Sequence, residues 1–339
     1  MTETPKVPES TAAGDEPLLR AVDLTRHFRV GGMFSKHVLH AVDNFDLTIG
    51  EREIVALVGE SGSGKSTVAR LLARIYTPTR GEIFYRGRPL HKLRSRRALF
   101  WYRGEVAIVF QDPFSAFNPV HRISHGIVRN LVLHRPDLNR AERQAEAERV
   151  CQSVGLSPKM LERFPYEMSG GERQRIGFAQ ALAVQPKLIL ADEPVSMLDV
   201  SIRAGVLNMM SSLRDEEGVS LLYITHDLAS ARYVADRIVV MYAGQVAESA
   251  PTGSIFHRPR HPYTRGLMSA FPSVTGPRRD LLGIPGSPPD LARPPRGCRF
   301  NPRCPDVMPA CLSREPELFR VGDADVRCLL YAEQAKEAV

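Results

Sequence analysis

Short apolar runs separated by polar turns fill the first part of the chain, and this pattern predicts β-strands from Leu18 to about Ile75. The clearest strand is Arg52–Val58 (REIVALV), which is short, rich in β-branched residues and followed at once by glycines. Lys65–Ile75 then changes to a helical repeat. Its apolar positions, which share one helix face, are Val68, Leu71, Leu72 and Ile75. The chain therefore begins as an α/β domain in which a strand is followed by a helix.

The middle of the chain combines a helical segment with two further strands. Residues from about 113 to 168 are rich in helix formers, above all Asn139–Val154, and predict a helical subdomain inserted in the α/β domain. Lys187–Ala191 (KLILA) and Val219–Thr225 (VSLLYIT) are continuous apolar runs, as expected of buried parallel strands. Polar or charged residues follow both strands, and ligands bind at the carboxyl ends of parallel strands.

The two ends of the chain differ from this middle. Met1–Pro17 is polar and acidic, which predicts a disordered N-terminus. It lacks the basic start and apolar centre of a signal peptide, and no stretch reaches the ~20 apolar residues that span a bilayer. The sequence thus predicts a protein that stays in the cytosol. Proline and glycine are frequent from Pro272 to Pro295, which predicts a linker before a cysteine-containing tail.

The formal net charge of +7 raises the question of nucleic-acid binding. The basic residues are spread along the chain rather than grouped in one block, which argues against a nucleic-acid site. The densest local group consists of Arg94, Arg96, Arg97 and Arg103. A positive surface that faces lipid headgroups or a permease explains the charge equally well.

Gly59–Thr67 reads GESGSGKST and fits the phosphate-binding pattern G-x-x-x-x-G-K-[ST]. It lies between a predicted strand and a predicted helix, where glycines let backbone N–H groups turn towards phosphates at the helix N-terminus. Lys65 is predicted to reach the β- and γ-phosphates of ATP, and the Ser66 hydroxyl to bind Mg²⁺. The predicted nucleotide-binding residues of this loop are Gly59, Glu60, Ser61, Gly62, Ser63, Gly64, Lys65, Ser66 and Thr67.

Leu188–Glu193 (LILADE) is an apolar strand that ends in two carboxylates, the form of a Walker B motif. Asp192 is predicted to hold Mg²⁺ through water, and Glu193 to polarise the attacking water as general base. Adjacent carboxylates alone are often only a solvated turn, but the buried strand before them and Pro194 after them favour a site. Together with the phosphate-binding loop they predict a P-loop NTPase.

Ser169–Gln174 (SGGERQ) decides which kind of P-loop NTPase this is. It resembles the signature sequence of ABC ATPases, whose family pattern is LSGGQ followed by a basic helix. Met168 and Glu172 replace the leucine and glutamine of that pattern. The resemblance implies that this helix start faces the γ-phosphate held by a partner's P-loop, so that two chains close head-to-tail over two ATP molecules. The phosphate-facing residues are then Ser169, Gly170 and Gly171.

Further family motifs follow in the family's order, and the resemblance covers about residues 18–270. Gln111, in VFQDP, matches the Q-loop glutamine, which contacts Mg²⁺ and water and senses the permease. Asp199, in SMLD, matches the D-loop at the dimer interface, and His226, in ITHD, matches the switch histidine that holds the γ-phosphate. Phe28, in LTRHFRV, occupies the position of the aromatic residue that stacks on adenine, although an aromatic residue in an early strand is also often core. The implied catalytic residues are Glu193, His226, Gln111 and Lys65.

Several stretches resemble the ATPases of dipeptide, oligopeptide and nickel importers, a branch that includes oligosaccharide importers. They are Val109–Pro119 (VFQDPFSAFNP), Leu198–Arg203 (LDVSIR), His257–Pro272 (HRPRHPYTRGLMSAFP) and Gly297–Pro305 (GCRFNPRCP). The resemblance implies an ATP-hydrolysing subunit at the cytoplasmic face of the membrane that energises import of oligopeptides or dipeptides, with oligosaccharide or nickel import as alternatives. The implied partners are a second, different ABC ATPase, two transmembrane permeases and an extracytoplasmic solute-binding protein, without nucleic acid.

Four cysteines lie in the tail, at Cys298, Cys304, Cys311 and Cys328. Their spacing, C-x5-C-x6-C-x16-C, does not fit the tighter pairs of a zinc ribbon, and disulfides are not expected in a cytosolic protein. Four thiolates are the number that a [4Fe–4S] cluster requires, and some members of the resembled branch carry one there. An iron–sulfur cluster, a zinc site and free thiols remain as alternatives. Cys151, in a helical run, is predicted to be a buried small apolar residue.

The complete prediction is an α/β P-loop ABC ATPase with an antiparallel β subdomain at its start, a helical subdomain and a small Cys-containing C-terminal appendix. The predicted boundaries are 1–17 for the disordered N-terminus, 18–271 for the ATPase domain and 272–339 for the linker and tail. Soluble ABC ATPases of DNA repair carry long coiled coils and those of translation carry two cassettes, and the sequence shows neither. A non-hydrolysing subunit is disfavoured by Glu193 and His226, and an exporter by the tail.

Overall fold

The computed structural model describes residues 16–31, 37–112, 117–269 and 283–334, which form two β-sheets with helices packed against them. In chain order the strands are β1 (Leu19–Val30), β2 (His37–Ile49), β3 (Ile54–Val58), β4 (Arg80–Tyr85), β5 (Arg88–Pro89), β6 (Val106–Val109), β7 (Leu188–Asp192), β8 (Ser220–Thr225), β9 (Arg237–Tyr242), β10 (Gln245–Pro251), β11 (Phe319–Val321) and β12 (Ala324–Val326). The α-helices are α1 (Lys65–Leu72), α2 (Arg96–Glu105), α3 (Ile123–His134), α4 (Arg140–Ser153), α5 (Gly170–Leu182), α6 (Val200–Asp215), α7 (Leu228–Val234), α8 (Thr252–His257) and α9 (Pro262–Ser269).

The smaller sheet is antiparallel throughout, with strand order β2-β1-β4-β5. Buried residues alternate with partly exposed ones at the start of β1, where Leu19, Ala21 and Leu24 point into the core. This alternation is typical of a sheet with one buried face. The predicted antiparallel β subdomain at the start of the chain is therefore confirmed.

The larger sheet has the order β11-β12-β10-β9-β3-β8-β7-β6. Strands β6, β7, β8, β3 and β9 are parallel, and β10, β12 and β11 continue the sheet in antiparallel fashion. Every residue of β3, β7 and β8 is buried. The three predicted buried strands are thus confirmed, and the chain has the predicted α/β fold.

Each face of the larger sheet packs into its own apolar core. In β3, Ile54, Ala56 and Val58 point to the core formed with helices α3 to α9, whereas Val55 and Leu57 point to the core shared with α1 and the smaller sheet. This division follows from the two-residue repeat of a strand. A strand covered on both faces has no polar side, which explains its continuous apolar sequence.

Helices α3 and α4 lie within the predicted helical subdomain at about 113–168. Asn139 caps α4 by accepting hydrogen bonds from the backbone N–H groups of Ala141 and Glu142, while the Glu142 carboxylate accepts one from the N–H of Asn139. Such a capping box fixes where a helix begins. Cys151 is fully buried in α4, as predicted. The subdomain and domain boundaries themselves stay a prediction.

The C-terminal tail does not stand apart from the ATPase domain. Strand β12 pairs with β10 and β11 pairs with β12, so that the tail extends the larger sheet. Its residues Ala324 and Val326 belong to the same apolar core as the helices. The predicted small appendix is therefore not confirmed as a separate unit, because two three-residue strands can bury their apolar side chains only against an existing sheet.

Part of the predicted termini and linker lies outside the described residues, namely 1–15, 270–282 and 335–339. The segment that the structure describes from residue 283 onwards contacts the smaller sheet. There the backbone N–H of His40, in β2, donates to the carbonyl oxygen of Leu291 over 2.9 Å. Within the described parts of the chain, no helix has both the length and the apolar character needed to cross a membrane.

Candidate active site

The phosphate-binding loop connects β3 to α1, as the sequence predicted. A Cβ atom at Gly59 would lie 2.1 Å from the carbonyl oxygen of Met241, and one at Gly64 would lie 2.2 Å from that of Ala41. Gly64 also has φ +104°, a conformation that favours glycine. The loop therefore passes too close to two backbone segments to carry side chains at these positions. The first turn of α1 contains no acidic residue, so the positive end of the helix is available to an anion.

Lys65 lies inside the loop with only 5% of its surface exposed. Its Nζ donates to the carbonyl oxygens of Gly59 and Glu60, each over 2.8 Å. Burial lowers the pKa of the ammonium group, and the nearby carboxylates of Glu193 and Asp192 oppose that shift. A buried cation at the centre of the loop is positioned to meet the phosphates of a nucleotide.

Ser66 and Asp192 meet although they belong to different elements. The Ser66 hydroxyl, in the first turn of α1, donates to Asp192 Oδ1 at the end of β7 over 3.0 Å. Burial raises the pKa of Asp192, and the hydrogen bond from Ser66 opposes the increase. A hydroxyl and a carboxylate oxygen side by side are ligands of the kind that Mg²⁺ prefers. Two of the three predicted Mg²⁺ ligands, Ser66 and Asp192, thus lie side by side, and the third, Gln111, hydrogen-bonds Glu193.

Gln111, Glu193 and His226 follow β6, β7 and β8 and converge at the carboxyl edge of the parallel sheet. Gln111 Nε2 donates to Glu193 Oε2 over 3.0 Å, and His226 Nδ1 lies 3.3 Å from Glu193 Oε1. Glu193 has φ +47°, an uncommon conformation for a residue with a side chain. Its carboxylate is therefore held between an amide and an imidazole next to the Mg²⁺ ligands, where a general base for water is required.

The predicted signature sequence forms the start of α5. Ser169 Oγ accepts a hydrogen bond from the backbone N–H of Glu172 over 3.3 Å, and Glu172 Oε2 accepts one from the N–H of Ser169 over 2.8 Å. Glu172 thus completes a capping box, which explains why a glutamate fits where the family has glutamine. The backbone hydrogen bond from Ser169 lowers the pKa of the Glu172 carboxyl. Ser169 itself is exposed, with its helix end open to solvent.

The predicted D-loop runs from Glu193 to the protein surface. Ser196 Oγ donates to the carbonyl oxygen of Glu193 over 3.0 Å. Beyond it, Met197 is 65% exposed and Val200 is 81% exposed, with Asp199 exposed between them. These two exposed apolar side chains lie beside the predicted site. They are available to a partner chain.

Comparison with known proteins identifies the family. The family model for ABC transporters matches residues 42–196, and the model for the C-terminal region of oligopeptide/dipeptide transporters matches residues 247–311. The oligopeptide transport ATP-binding protein AppF of Bacillus subtilis is 39% identical over 330 residues, which cover 95% of this chain and 100% of AppF. The dipeptide transport ATP-binding protein DppF of Escherichia coli is 40% identical over 316 residues, covering 92% of this chain and 94% of DppF.

A solved structure is similar as well. The dimeric ATP-binding cassette MJ0796, solved in a post-hydrolysis state with ADP and Pi, superimposes with a TM-score of 0.62 at 26% identity. The match covers 69% of this chain and 98% of that cassette. The chain belongs to the ATP-binding proteins of the ABC transporter family. The site described above is accordingly that of an ABC ATPase, and the chain hydrolyses ATP.

Phe28, the predicted adenine-stacking residue of this ABC ATPase, is partly exposed in β1. It pairs with Leu39 of β2, two residues before the Ala41 carbonyl that contacts the phosphate-binding loop. The Tyr76 ring lies edge-on at 5.3 Å from the Phe28 ring, and the Arg26 guanidinium lies 4.6 Å from it. A supported, partly exposed ring near the loop is compatible with base stacking, and this role stays a prediction.

Glu60 has partners that the sequence did not predict. Its backbone N–H donates to the Tyr263 hydroxyl over 3.1 Å, and its carboxylate accepts two hydrogen bonds from Arg303. Glu60 was predicted only as a member of the phosphate-binding loop of the ABC ATPase. The sequence offers one signal for these contacts. Glu60 places a carboxylate in a loop that binds anions, and such a carboxylate requires a neutralising partner elsewhere in the chain.

The four tail cysteines of the ABC ATPase are free thiols that line one pocket. Phe300 and Leu329 contribute apolar surface to the same pocket. Burial raises the pKa of Cys298 to about 11 and that of Cys328 to about 12. The Cys298 and Cys328 thiols are thus kept protonated unless a cation binds among the cysteines. The cysteines are Cys298, Cys304, Cys311 and Cys328.

Proposed function

We propose that this chain energises import of oligopeptides or dipeptides by hydrolysing ATP at the cytoplasmic face of the membrane. The observation that carries the proposal is the combination, in one chain, of the Gln111–Glu193–His226 group with a C-terminal region like that of oligopeptide/dipeptide transporters. AppF and DppF, which are similar over nearly the whole chain, support the same assignment.

The chemistry follows from the residues around the loop. Lys65 neutralises the β- and γ-phosphates, while Ser66 and Asp192 hold Mg²⁺, which supplies further charge neutralisation when it is bound. Glu193 accepts a proton from the attacking water, and His226 is positioned to contact the γ-phosphate. Transition-state charge on the phosphoryl group is thus stabilised by positioned charges and donors rather than by a covalent intermediate.

A second ABC ATPase, in our proposal a different chain, completes the site by presenting its own signature helix. The exposed Ser169 at the start of α5 and the exposed apolar residues Met197 and Val200 support such an interface. The MJ0796 cassette was solved as a dimer. The remaining proposed partners are two permeases and an extracytoplasmic solute-binding protein, and the segment 111–119 is the proposed contact with a permease.

The proposal is tested by a tagged pull-down from detergent-solubilised native membranes, with partners identified by mass spectrometry. We expect two multi-spanning permeases, a second ATPase and a solute-binding lipoprotein whose bound ligand is a peptide. A bound oligosaccharide or nickel chelate would overturn the peptide assignment and leave the importer in place. Recovery of ribosomes or DNA-bound proteins without permeases would overturn the transport role.

We also propose that Cys298, Cys304, Cys311 and Cys328 hold a [4Fe–4S] cluster. Four thiols lining a single pocket supply the ligand number that such a cluster needs. When bound, the cluster would supply a compact charged centre that deprotonates the thiols and holds the tail together. The alternatives of a zinc site or free thiols differ from it in metal content.

Replacing one ligand should remove the cluster. Protein purified without oxygen is expected to contain about four iron atoms per chain and a broad iron–sulfur absorbance, and Cys298→Ser should lose both. Cys151→Ala is the matched control, because that thiol is buried in α4 away from the pocket, and it should retain the absorbance. Wild-type protein that contains zinc or no metal under these conditions would contradict the proposal.

A further inference from the structure

Arg303, in the cysteine-containing tail, forms an ion pair with a residue of the phosphate-binding loop. Its Nη1 lies 2.9 Å from Glu60 Oε2 and its Nη2 lies 3.2 Å from Glu60 Oε1, so that both nitrogens and both oxygens are used. The Arg303 side chain is 6% exposed and that of Glu60 is 25% exposed. A two-pronged arginine–carboxylate pair that is largely removed from water has defined geometry and is more than an incidental surface contact.

The rest of the guanidinium is fixed by one contact from the tail and one from β9. Arg303 Nε donates to the carbonyl oxygen of Pro285 over 2.8 Å, and Nη1 lies 3.4 Å from the Tyr242 hydroxyl. Arg303 ends the short 3₁₀ helix Asn301–Arg303 and directly precedes Cys304. The guanidinium is therefore positioned by the loop between the first two tail cysteines, and movement of that loop would move the ion pair.

Aromatic packing joins the tail loop to β9 and α9. The Phe300 ring, in the tail loop, lies 5.1 Å from the Tyr242 ring and 5.5 Å from the Tyr263 ring. Tyr263 in turn accepts a hydrogen bond from the backbone N–H of Glu60. Glu60 is thus held through its backbone by Tyr263 of α9 and through its side chain by Arg303 of the tail.

The position of Glu60 matters for the nucleotide for two reasons. Its carbonyl oxygen accepts a hydrogen bond from Lys65 Nζ over 2.8 Å, so a shift of Glu60 would change where the loop lysine rests. Its carboxylate adds a negative charge to a loop that must receive the negative charges of a triphosphate, and such a charge repels the ligand unless it is paired. Arg303 supplies that pairing from 243 positions further along the chain.

We propose that Arg303 is a positioning residue for nucleotide binding: it neutralises Glu60 and fixes the start of the phosphate-binding loop, so that the C-terminal tail sets the affinity for ATP. Arg303 does not need to touch the nucleotide. Because such coupling between two sites is reciprocal, bound ATP also stabilises the tail loop 298–304. The inference requires ATP binding alone and is independent of the proposals on peptide import and on the iron–sulfur cluster.

The test is the affinity of the purified full-length chain for a fluorescent ATP analogue with Mg²⁺. Arg303→Gln should weaken binding about tenfold, because it leaves the Glu60 carboxylate unpaired beside the phosphates. In that background, Glu60→Gln should restore most of the affinity, since it removes the unpaired charge. If Glu60→Gln leaves the affinity of Arg303→Gln unchanged or weakens it further, the loss is not due to the unpaired charge and the proposal is overturned.

Arg320→Gln is the matched control within the same tail. Arg320 pairs with Asp325 over 3.1 Å between Nη1 and Oδ1, its side chain is 56% exposed, and the pair does not include the phosphate-binding loop. We expect ATP affinity within about twofold of wild type for this variant, because exposed ion pairs contribute little. An equal loss of affinity in Arg320→Gln and Arg303→Gln would mean that any change in the tail weakens binding, against the proposal.

A measurement on the wild-type protein covers the case in which Arg303→Gln does not fold. Hydrogen–deuterium exchange of the tail loop 298–304 should slow several-fold when ATP and Mg²⁺ are added, since the loop and the nucleotide stabilise each other. The peptide that contains β11 and β12 serves as the internal reference. Exchange of the loop that is unchanged by saturating ATP would overturn the coupling.

Discussion

Glu193→Gln should abolish steady-state ATP turnover while ATP binding is retained. The substitution keeps the shape of the side chain and its ability to hydrogen-bond Gln111 and His226, which lie 3.0 Å and 3.3 Å from the carboxylate. It removes only the ability to take a proton from water. General-base catalysis contributes roughly 10²–10⁴-fold to rate, so phosphate release should fall by about that factor.

The same variant should accumulate ATP-bound, closed dimers, because Lys65, Ser66 and Asp192 still bind the nucleotide and opening follows hydrolysis. The measurements are phosphate release, affinity for a fluorescent ATP analogue and the amount of nucleotide retained after gel filtration. Glu216→Gln, the same chemical change at an exposed position at the end of α6, is the matched control and should turn over normally. Normal turnover by Glu193→Gln would remove Glu193 as the base.

The strands that precede the predicted nucleotide-binding residues were the most predictable part of the fold. Strands β3, β7 and β8 are covered on both faces, so their apolar runs are continuous and end abruptly at polar residues. Parallel strands bring their carboxyl ends to one edge, and for that reason Glu193 and His226 could be placed together from the sequence, whereas Gln111 was assigned through the family resemblance. Their distances agree with the predicted roles, although the roles themselves stay predictions.

Helix α2 was missed, and its residues were considered only as a basic group. The helix begins at a local cap, in which Ser95 Oγ accepts a hydrogen bond from the backbone N–H of Ala98. It also depends on a contact that no local pattern shows, because the buried Tyr102 hydroxyl donates to the carbonyl oxygen of Leu72 over 2.6 Å. The Tyr102 ring also lies edge-on to Tyr85 at 5.5 Å. Tertiary contacts of this kind override weak local propensity.

The tail was the least predictable part, because its stability comes from distant partners. Strands β11 and β12 have three residues each, too few to show a two-residue repeat. Proline-rich composition favoured a linker, yet the segment from residue 283 onwards contacts β2 and the phosphate-binding loop. An ion pair between distant residues, such as Arg303 with Glu60, cannot be predicted from hydrophobic periodicity.

Lys65→Ala should weaken ATP binding more than any other single substitution in the phosphate-binding loop. Only 5% of the Lys65 surface is exposed, and its ammonium group donates hydrogen bonds to two loop carbonyl oxygens. When ATP binds, we expect the Lys65 ammonium group to exchange these carbonyl partners for phosphate oxygens. Removing one partner of a buried charged hydrogen-bonded pair costs about 2–5 kcal/mol, which corresponds to roughly 30- to 5,000-fold in affinity.

The substitution should affect binding and hydrolysis together, in contrast to Glu193→Gln, because the lysine charge acts on the phosphates in both the ground state and the transition state. Affinity for the fluorescent ATP analogue is the direct measurement, and thermal unfolding without nucleotide shows whether the loop has kept its structure. Lys159→Ala, at an exposed position of the helical region, is the control and should bind ATP as wild type does. A Lys65→Ala protein that is folded and binds ATP with wild-type affinity would mean that Lys65 does not contact the phosphates, and the charge of the site would then have to come from Mg²⁺ and the end of α1 alone.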